Sequence, residues 1–392
     1  MNMHIIFFFC LSLISYTYFG YPLIIYTLSH FYKKPVLRHY PYPLVSVIIS
    51  AYNEEKNIES KIRSLLELNY PAERLEILIG CDGSTDKTRE IISRYANDRL
   101  KLISFPLRRG KPSVLNDLVS NANGEILIFT DARQRLDNDS VNQLVKNFSD
   151  QRIGSVSGEL IFEAEDSKAG HGMGIYWEYE KFIRKCESSM GSMLGATGAL
   201  YAIRKELFSR LPEDLILDDV YIPMQIVRKN YRAIFDKKAK VYDKVFSDPK
   251  IEFQRKVRTL AGNYQLFNYL KTLFNPFAGK ISWQFFSHKF LRLVVPFLLI
   301  VLFISSALIA AKIGTVPLKS GDSPYFSVYF YWIFLLLQVI FYLFAILGAT
   351  FKHTNRLFDI PYMFCVMNAA AISGLYRFLN RKQNVLWKKT GI

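Results

Sequence analysis

The hydrophobic residues of this chain are concentrated in long uncharged runs near its two ends, with a more polar segment between them. The runs cover residues 4–28, about 290–313 and 325–350, and a shorter one covers about 360–379. Because a helix of about 20 apolar residues crosses the hydrocarbon core of a bilayer, the first three runs predict transmembrane helices. A cleaved signal peptide is the alternative for the first run, but that run exceeds the usual apolar stretch of about 7 to 15 residues. No small-x-small cleavage site follows it, which favours a membrane anchor.

Residues 44 to about 250 alternate between short β-like runs and segments with helical spacing of apolar residues. This alternation is typical of βαβ units and predicts an α/β domain with a largely parallel sheet. The predicted strands are Val45–Ser50, Leu75–Ile79, Leu100–Phe105, Glu125–Phe129 and Ile153–Val156. The predicted helices are Asn57–Leu68, Thr85–Tyr95, Lys111–Asn121 and Ser140–Asn147.

The positive charges predict how the chain is oriented in the membrane. The formal net charge is +16, and basic residues flank the apolar runs. By the positive-inside rule, the flanks belong in the cytoplasm and the amino terminus lies outside. No nucleic-acid motif accompanies these charges, so anionic lipid headgroups are the expected partner rather than nucleic acid. The basic residues concerned are Lys33, Lys34 and Arg38, then Lys237, Lys238, Lys240, Lys244, Lys250, Arg255, Lys256 and Arg258.

These patterns divide the chain into five segments: a transmembrane anchor at 1–30, an α/β domain at 44–250, amphipathic interface helices at 251–288, a membrane region at 289–380 and a basic tail at 381–392. The membrane region is expected to hold two or three spans. If the run at about 360–379 also crosses, the tail lies outside, yet Arg377, Arg381, Lys382, Lys388 and Lys389 favour the cytoplasm. We therefore expect this run to be re-entrant, to lie at the interface or to pack against its neighbours. The four cysteines are scattered, which indicates neither a disulfide framework nor a zinc site.

Acidic residues directly follow two of the predicted strands. Asp82 and Asp131 come at the carboxyl ends of strands, where open α/β sheets bind their ligands. Asp82 is suited to accept a hydrogen bond from a uracil imide, and Arg109-Gly110-Lys111 is suited to phosphate oxygens. Taken singly, each motif also has a structural explanation as a helix cap, a tight turn or a charged surface loop. Together with Asp218-Asp219, they indicate a site for a nucleoside diphosphate.

The combination of four motifs is more specific than any one of them. They are Ser50-Ala51-Tyr52-Asn53-Glu54-Glu55, Asp82-Gly83-Ser84-Thr85-Asp86, Arg109 to Asn116 and Thr130-Asp131-Ala132. In this order and spacing they resemble the family-2 inverting glycosyltransferases of the GT-A fold. The resemblance covers roughly residues 44 to 265. The flanking apolar runs look like those of the membrane-bound branch, which includes cellulose, hyaluronan and poly-N-acetylglucosamine synthases.

The resemblance implies a fold, a reaction and a location. The fold would be a cytoplasmic α/β GT-A (Rossmann-like) domain with flanking transmembrane helices, in a multi-pass protein of the cell (inner) membrane. The reaction would move a hexose or N-acetylhexosamine from a nucleotide-diphosphate sugar, UDP-linked, to a growing polysaccharide or lipid-linked glycan. Single-sugar transfer to a lipid and a catalytically silent nucleotide-sugar-binding subunit remain as alternatives.

The resemblance also implies roles for single residues. Asp219 would be the general base that takes the proton of the acceptor hydroxyl. The residues that would bind the nucleotide sugar are Ala51, Tyr52, Glu54, Asp82, Lys111, Asp131, Arg133 and Arg258. Asp131 would also bind Mg²⁺ or Mn²⁺. The acceptor side would be formed by Gly195, Ala196, Thr197, Gly198 and Asp218, and the aromatic ring of Trp177 is a further candidate there, although it is equally suited to a packed helix face.

The sequence departs from the family pattern at two places. The third position of the D-x-D motif is Arg133, which removes one hard oxygen ligand. The metal is then held by Asp131, waters and phosphates, or Arg133 itself supports the diphosphate. Of the Q-x-x-R-W motif only Arg258 remains, so the glutamine and the tryptophan near the acceptor are missing. This second departure puts repeated chain extension in doubt.

Overall fold

A mixed sheet lies at the centre of the polar segment. The computed structural model describes residues 3–39, 42–163, 168–244, 249–314, 325–350, 355–383 and 385–386, so Lys388, Lys389 and most of the expected basic tail lie outside the described residues. Within these ranges the sheet has eight strands in the order β3-β2-β1-β4-β7-β6-β8-β5. The strands are β1 Val45–Ala51, β2 Leu75–Asp82, β3 Leu100–Phe105, β4 Ile126–Phe129, β5 Arg135–Leu136, β6 Ile153–Glu163, β7 Tyr201–Arg204 and β8 Arg232–Lys244.

One half of the sheet is parallel and the other half is mixed. Strands β1, β2, β3 and β4 pair in parallel, with Val45 opposite Leu75 and Ile126. Strand β7 pairs antiparallel with both β4 and β6, whereas β6 and β8 are parallel. The α/β fold expected from the alternation is confirmed. Because β1 lies between β2 and β4, the loops after these strands meet at a switch in strand order, which is where such sheets bind ligands.

Helices cover both faces of the sheet. Alternate residues of β1 point to opposite faces: Val47 and Ile49 pack in one core, and Ile48 packs in the other. The first core includes residues of α3 and α4, and the second includes residues of α5 and α8. The helices of this domain are α3 Ile58–Leu66, α4 Thr88–Tyr95, α5 Lys111–Asn121, α6 Ser140–Val145, α7 Lys168–Met190 and α8 Asp218–Arg228, with short 3₁₀ turns at Ala72–Arg74, Lys146–Ser149 and Lys205–Leu207.

The apolar runs form long helices. Helices α1 Met3–Ser15 and α2 Tyr21–Phe31 are joined through a π-helical turn, Tyr16–Gly20. Later come α9 Pro249–Tyr269, a 3₁₀ turn at Lys271–Phe274, α10 Lys280–Phe285, a π-helical turn at Phe286–Phe290, α11 Leu291–Gly314, α12 Tyr325–Thr350 and α13 Arg356–Leu379. In the described part of the chain, four helical stretches are long and apolar enough to cross a membrane: Met3–Phe31, Lys280–Lys312, Tyr329–Thr350 and Arg356–Leu379.

The helices do not break at residue 288, where the sequence analysis placed the boundary between the interface helices and the membrane region. Helix α10 continues through the π-helical turn into α11, so the stretch from Lys280 belongs to the apolar helix rather than to a separate interface segment. Helix α13 packs closely on α9, since a Cβ atom on Gly374 would lie 2.9 Å from the backbone nitrogen of Ala261. Helix α9 in turn packs on the sheet domain, where Gly262 faces Leu217 and Ile216.

Candidate active site

One lysine joins two of the acidic motifs. Lys111 is the first residue of α5, and Gly110 before it has a φ of 92°, a left-handed conformation that favours glycine. The Lys111 ammonium lies 3.1 Å from Asp131 Oδ1 and 3.2 Å from Asp218 Oδ2. Burial alone would lower the pKa of Lys111, but the charges of Asp131, Asp218 and Asp219 outweigh it and raise the pKa above its usual value. The carboxyl end of β4 and the start of α8 therefore meet at one cation.

The surroundings of Asp131 favour the ionised form of its carboxyl group. Burial would raise the pKa of Asp131, but the ammonium of Lys111 outweighs burial and holds the pKa below its usual range. The side chain is still 42% exposed, so it remains open to a ligand. The sequence prediction that Asp131 lies at the carboxyl end of a strand is confirmed by the position of β4.

The pKa of Asp219 is shifted in the opposite direction to that of Asp131. Asp219 stands in the first turn of α8 and is half-buried beside Asp218, which is buried. Burial and the negative charge of Asp218 raise the pKa of Asp219 to about 6, against the opposing charges of Lys111 and Arg184. A carboxylate with a pKa close to the working pH is suited to accept a proton during a reaction.

The predicted acceptor residues lie directly against Asp219. The backbone N–H of Ala196 donates to the backbone carbonyl of Asp219 at 2.7 Å. A Cβ atom on Gly198 would lie 3.1 Å from Asp219 Oδ2, so glycine leaves the carboxylate accessible. Gly195 has a φ of 102°, and the backbone N–H of Thr197 donates to Ser157 Oγ at 2.9 Å. The structure therefore places Ala196 and Gly198 against the candidate base, and Gly195 and Thr197 are their neighbours in the same loop.

The predicted nucleoside-binding loops are joined to each other by hydrogen bonds. The backbone N–H of Glu54 donates to Thr88 Oγ1 at 2.7 Å, and the ring of Tyr52 lies 3.7 Å from the Arg108 guanidinium carbon. Ala51 is fully buried at the end of β1. Asp82, 2% exposed, accepts from the backbone N–H groups of Arg109 and Gly110. Each oxygen of a carboxylate can accept more than one hydrogen bond, so these two contacts leave Asp82 able to accept another from a base. The expected contact of Asp82 with a base stays a prediction.

The two departures from the family pattern have distinct surroundings. Arg133 forms an ion pair with Asp243 of β8 at 2.6 Å, and Gln134 donates to the same carboxylate at 3.0 Å. Arg258 of α9 is within electrostatic range of Asp131, Asp218 and Asp219. Burial lowers the pKa of Arg258, and the three carboxylates oppose that shift. Arg133 thus pairs with Asp243 while its charge also acts on Asp131, and Arg258 acts on all three carboxylates of the acidic centre.

Trp177, which was predicted for the acceptor side, lies on α7. Its indole N–H donates to the carbonyl of Leu160 at 3.1 Å, and its ring lies 5.3 Å from the guanidinium carbon of Arg184. The ring also contacts Phe162 edge to face. Trp177 is therefore partly used in packing, and its expected contact with an acceptor stays a prediction.

Three residues near the site were not identified from the sequence. Lys61 of α3 is 1% exposed and donates to Thr130 Oγ1 at 2.7 Å and to the carbonyl of Gln134 at 2.9 Å. The sequence does mark Lys61, because it occupies a position of α3 where the helical spacing of apolar residues predicts an apolar side chain. Arg184 donates to Thr197 Oγ1 at 2.8 Å, and Val385 Cγ1 lies 2.8 Å from the Cβ position of Gly110. No motif marks Arg184 or Val385, and only the fold brings them here.

Comparison with known proteins agrees with these features. The sequence model of glycosyl transferase family 2 matches residues 46–211. Poly-beta-1,6-N-acetyl-D-glucosamine synthase of Staphylococcus epidermidis is 26% identical over 203 residues, which are 50% of this chain and 48% of that protein. The probable glycosyltransferase YdaM of Bacillus subtilis is 24% identical over 256 residues, 62% of this chain and 61% of that protein. The chain thus aligns with about half the length of the first of these relatives.

A solved structure shares the fold over nearly the whole chain. The mannosyltransferase PcManGT of Pyrobaculum calidifontis, in complex with GDP-Man and Mn²⁺, superposes with a TM-score of 0.71 at 24% sequence identity. The match covers 97% of this chain and 100% of that one. The expected GT-A fold is therefore confirmed. Residues 46–211 of this chain thus match a glycosyl transferase family 2 domain, and the relatives that align with it are named as glycosyltransferases or as a polysaccharide synthase.

Proposed function

We propose that this protein is a membrane-bound inverting glycosyltransferase with Asp219 as its general base. It transfers a sugar from a nucleotide-diphosphate sugar, with a UDP-linked sugar as the first donor to test, to a growing polysaccharide or lipid-linked glycan at the cytoplasmic face. The observation that carries this proposal is the position of Asp219. A carboxylate with a pKa of about 6 lies against the glycine-containing loop at Gly198, beside the cation that joins Asp131 and Asp218.

The proposed reaction is a single displacement. The acceptor hydroxyl oxygen forms a bond to the anomeric carbon while the bond from that carbon to the diphosphate oxygen breaks. The hydroxyl proton passes to the Asp219 carboxylate, and the nucleoside diphosphate leaves. Inversion of configuration follows, because the acceptor attacks from the face opposite the diphosphate.

Cations around the acidic centre fit the leaving group. Lys111 lies between Asp131 and Asp218, and Arg258 is within electrostatic range of both. Fixed positive charges beside a developing negative charge stabilise the transition state without reorganising. We assign the diphosphate to Lys111, Asp131 and Arg258, and the nucleoside to the loops that contain Ala51, Tyr52, Glu54 and Asp82. Arg133 holds Asp243 and its charge also acts on Asp131, so we keep Arg133 as a candidate for supporting the diphosphate.

The acidic centre fits a divalent cation that arrives with the donor. In the described part of the chain, no cluster of three or more histidine, cysteine or acidic residues forms a metal cage. Mg²⁺ is commonly held by one or two carboxylates together with substrate phosphates. Asp131 and Asp218 would supply those carboxylates, since both already bind one ammonium group. A bound Mg²⁺ or Mn²⁺ would neutralise charge on the diphosphate.

Membrane attachment is supported by the four long apolar helices and by the basic residues at their ends. Lys33 and Lys34 directly follow the first helix, which favours the cytoplasm for the sheet domain. A cytoplasmic domain has access to nucleotide sugars, and the helices hold it at the bilayer where a lipid-linked acceptor resides.

Transfer of one sugar to a lipid is the second candidate. It is favoured by the sequence around Arg258, where the glutamine and tryptophan of the Q-x-x-R-W motif are missing. A processive enzyme needs a grip on the extended product, and these side chains are the expected part of that grip. The length of the product, measured by mass spectrometry, separates the two candidates: a ladder of lengths indicates a polysaccharide, and a single added sugar indicates the second candidate.

The test is release of nucleoside diphosphate by the detergent-purified full chain across a panel of UDP- and GDP-linked sugars. Each donor is assayed with an added membrane-lipid extract, in Mn²⁺, in Mg²⁺ and in EDTA. We expect turnover with one class of donor, and loss of turnover in EDTA. Nucleotide binding without turnover of any donor would contradict the proposal and favour a silent nucleotide-sugar-binding subunit.

A further inference from the structure

Helix α7 contacts the loop that borders the candidate base. Arg184 of α7 donates from Nη1 to Thr197 Oγ1 at 2.8 Å. Gly198 follows Thr197, and its Cβ position lies 3.1 Å from Asp219 Oδ2. On the other side of Thr197, the backbone N–H of Ala196 donates to the backbone carbonyl of Asp219 at 2.7 Å. A movement of Arg184 would therefore reach the loop that lies against Asp219.

Two buried carboxylates flank Arg184 on the same helix. Glu180 comes four residues before Arg184 and Glu187 three residues after it, so all three lie on one face of α7. At a rise of 1.5 Å per residue, the two glutamates are about 10 Å apart along the helix. Their side chains are only 6% and 0% exposed, and carboxylates buried to this extent need polar partners.

One histidine bridges these two carboxylates. His288 Nδ1 lies 2.8 Å from Glu187 Oε1, and His288 Nε2 lies 3.2 Å from Glu180 Oε2. The imidazole is 2% exposed and belongs to the apolar helical stretch Lys280–Lys312. Because its two nitrogens are on different sides of the ring, a single imidazole contacts both carboxylates at once. The apolar stretch is thereby fixed to α7 on both sides of Arg184.

Two further side chains complete this network. Arg292, one helical turn after the histidine, pairs with Glu180 Oε1. The hydroxyl of Tyr21, on the first apolar helical stretch, donates to Glu187 Oε1 at 2.5 Å. Two stretches that are long and apolar enough to cross a membrane therefore meet at α7. We call this network the polar clamp; its members are Tyr21, Glu180, Glu187, His288 and Arg292.

A buried network of this kind is better suited to fixing geometry than to adding stability. The cost of removing charged groups from water offsets much of their mutual attraction, so apolar side chains of the same volume would hold the helices together as well. Hydrogen bonds, in contrast, form only within a narrow range of distances and angles. The polar clamp therefore restricts how α7 lies against the apolar helices.

We infer that the polar clamp sets the position of α7 and, through the hydrogen bond between Arg184 and Thr197, the position of the loop beside Asp219. His288 and Glu187 are thus positioning residues for the reaction. The inference rests on the proposed function, because it concerns the acceptor side of that same site. It gives the apolar helices a role in turnover in addition to attachment.

The first test asks whether breaking the clamp releases the loop. The variants are His288→Gln, Glu187→Gln and Tyr21→Phe, and the last is the mildest because it removes one hydroxyl and keeps the ring in its buried cluster. His30→Gln and Glu178→Gln are the matched controls, since they make the same changes at exposed positions. The measurement is hydrogen–deuterium exchange of residues 195–200 in the full chain in detergent, without donor or acceptor.

We expect exchange at residues 195–200 to be about twofold to tenfold faster in the clamp variants, the range for the loss of one hydrogen bond. The controls should exchange at the wild-type rate. Backbone N–H groups of this loop form hydrogen bonds in the structure, so faster exchange is measurable. Exchange needs no turnover, so failure of this test is distinct from failure of the donor panel.

The second test is a double-mutant cycle in kcat between His288→Gln and Thr197→Val, which removes the hydroxyl that Arg184 contacts. Each single variant should lower kcat about tenfold to a hundredfold, the range for a small displacement at a reacting group, with UDP binding unchanged. Because both changes break the same series of contacts, kcat of the double variant should lie within about twofold of the lower single variant.

Wild-type exchange at residues 195–200 in all three clamp variants would overturn the inference. So would a double variant in which the two losses of kcat multiply, because independent effects combine in that way. Equal losses of kcat and of UDP binding in His288→Gln would also contradict it, since the clamp would then support the domain as a whole rather than the acceptor side.

Discussion

At the scale of single residues, Asp219 lies between opposing charges. Burial and Asp218 raise its pKa to about 6, and Lys111 opposes that shift. Because a general base must be ionised, we expect kcat/KM to rise about tenfold per pH unit below pH 6 and to level off above it. The Asp218→Asn variant should move this acidic limb to lower pH, since it removes the negative charge that raises the pKa of Asp219. A limb that stays in place in that variant would show that another group controls it.

Gly198 keeps the base accessible. A methyl group there would lie 3.1 Å from Asp219 Oδ2, closer than ordinary contact, so the carboxylate must move by a few tenths of an ångström. We expect Gly198→Ala to lower kcat about tenfold or more, since such displacements of a reacting group are costly. Gly191→Ala is the control, because its methyl group would meet nothing nearer than Lys280 Nζ at 3.8 Å. Equal activities of the two variants, at equal protein stability, would count against this role.

Lys61 supports the loop that carries Asp131. Its two hydrogen bonds, to Thr130 and Gln134, are buried, and we expect Lys61→Met to cost about 1 to 3 kcal/mol of unfolding free energy. Burial lowers the pKa of Lys61 from 10.5 to about 7. The unfolded chain then binds more protons between pH 7 and 10.5, so wild-type stability rises with pH in that window. Thermal unfolding of the wild type and of Lys61→Met at pH 7 and 9 should show a smaller rise in the variant.

At the scale of elements, the four parallel strands β1 to β4 were predictable, whereas in the mixed half only the first part of β6 was predicted. Strands β1, β2 and β4 are rich in apolar residues and are followed by polar loop residues, so their position at the site could be predicted directly. Strand β8 escaped prediction because it carries Lys237, Lys238 and Lys240, which suggested a charged flank. In the structure Lys238 and Lys240 alternate with the buried residues Ala239 and Val241, as in a strand with one face in water, and Lys237 is exposed beside them.

The residues of the candidate site also divide into those that the sequence predicts and those that it does not. Motifs placed at strand ends, such as those of Asp131 and Lys111, come together because parallel strands present their carboxyl ends at one edge. Arg184 lies on α7 and donates a hydrogen bond to Thr197, which is 13 residues away in the sequence. Such a contact depends on the packing of α7 against the sheet, and no local pattern in the sequence reports it.

The contact between α9 and α13 links the membrane region to the site. Arg258 lies on α9, and Gly374 of α13 approaches the α9 backbone at Ala261. We expect Gly374→Leu to push the helices apart, lower the thermal stability and raise the KM for the donor several-fold. Ala369→Leu, at an exposed position of the same helix, should change neither quantity. A Gly374→Leu protein with wild-type stability and KM would show that this packing is unimportant to the site.

At the scale of the whole molecule, the end of the chain returns to the sheet domain. Val385 lies 2.8 Å from the Cβ position of Gly110, and α13 begins beside the end of α12, where Gly348 meets Phe358. We therefore expect the segment after α13 to lie on the same side of a membrane as the sheet domain. This agrees with the basic residues Arg377, Arg381 and Lys382, and it favours an interfacial α13 over a complete fourth crossing.

This topology predicts the behaviour of reporters fused after Ile392. A fluorescent protein that matures in the cytoplasm should be bright, and alkaline phosphatase, which is active only outside the cytoplasm, should be inactive. A fusion after Lys312, at the far end of the helix that starts at Lys280, should give the reverse result. Active phosphatase after Ile392 would contradict the cytoplasmic placement and indicate that α13 crosses the bilayer.

The central claim is that Asp219 is the base of a glycosyl transfer. The most direct test compares nucleoside diphosphate release by the wild type, Asp219→Asn and Asp98→Asn, with the preferred donor and lipid extract at pH 7.5. Asp98 is an exposed aspartate in a surface turn and controls for the loss of a carboxylate. We predict that Asp219→Asn lowers kcat by about 10² to 10⁴, while UDP binding and Asp98→Asn activity stay at wild-type values. An Asp219→Asn protein with near wild-type kcat would contradict the account and assign the base to another residue.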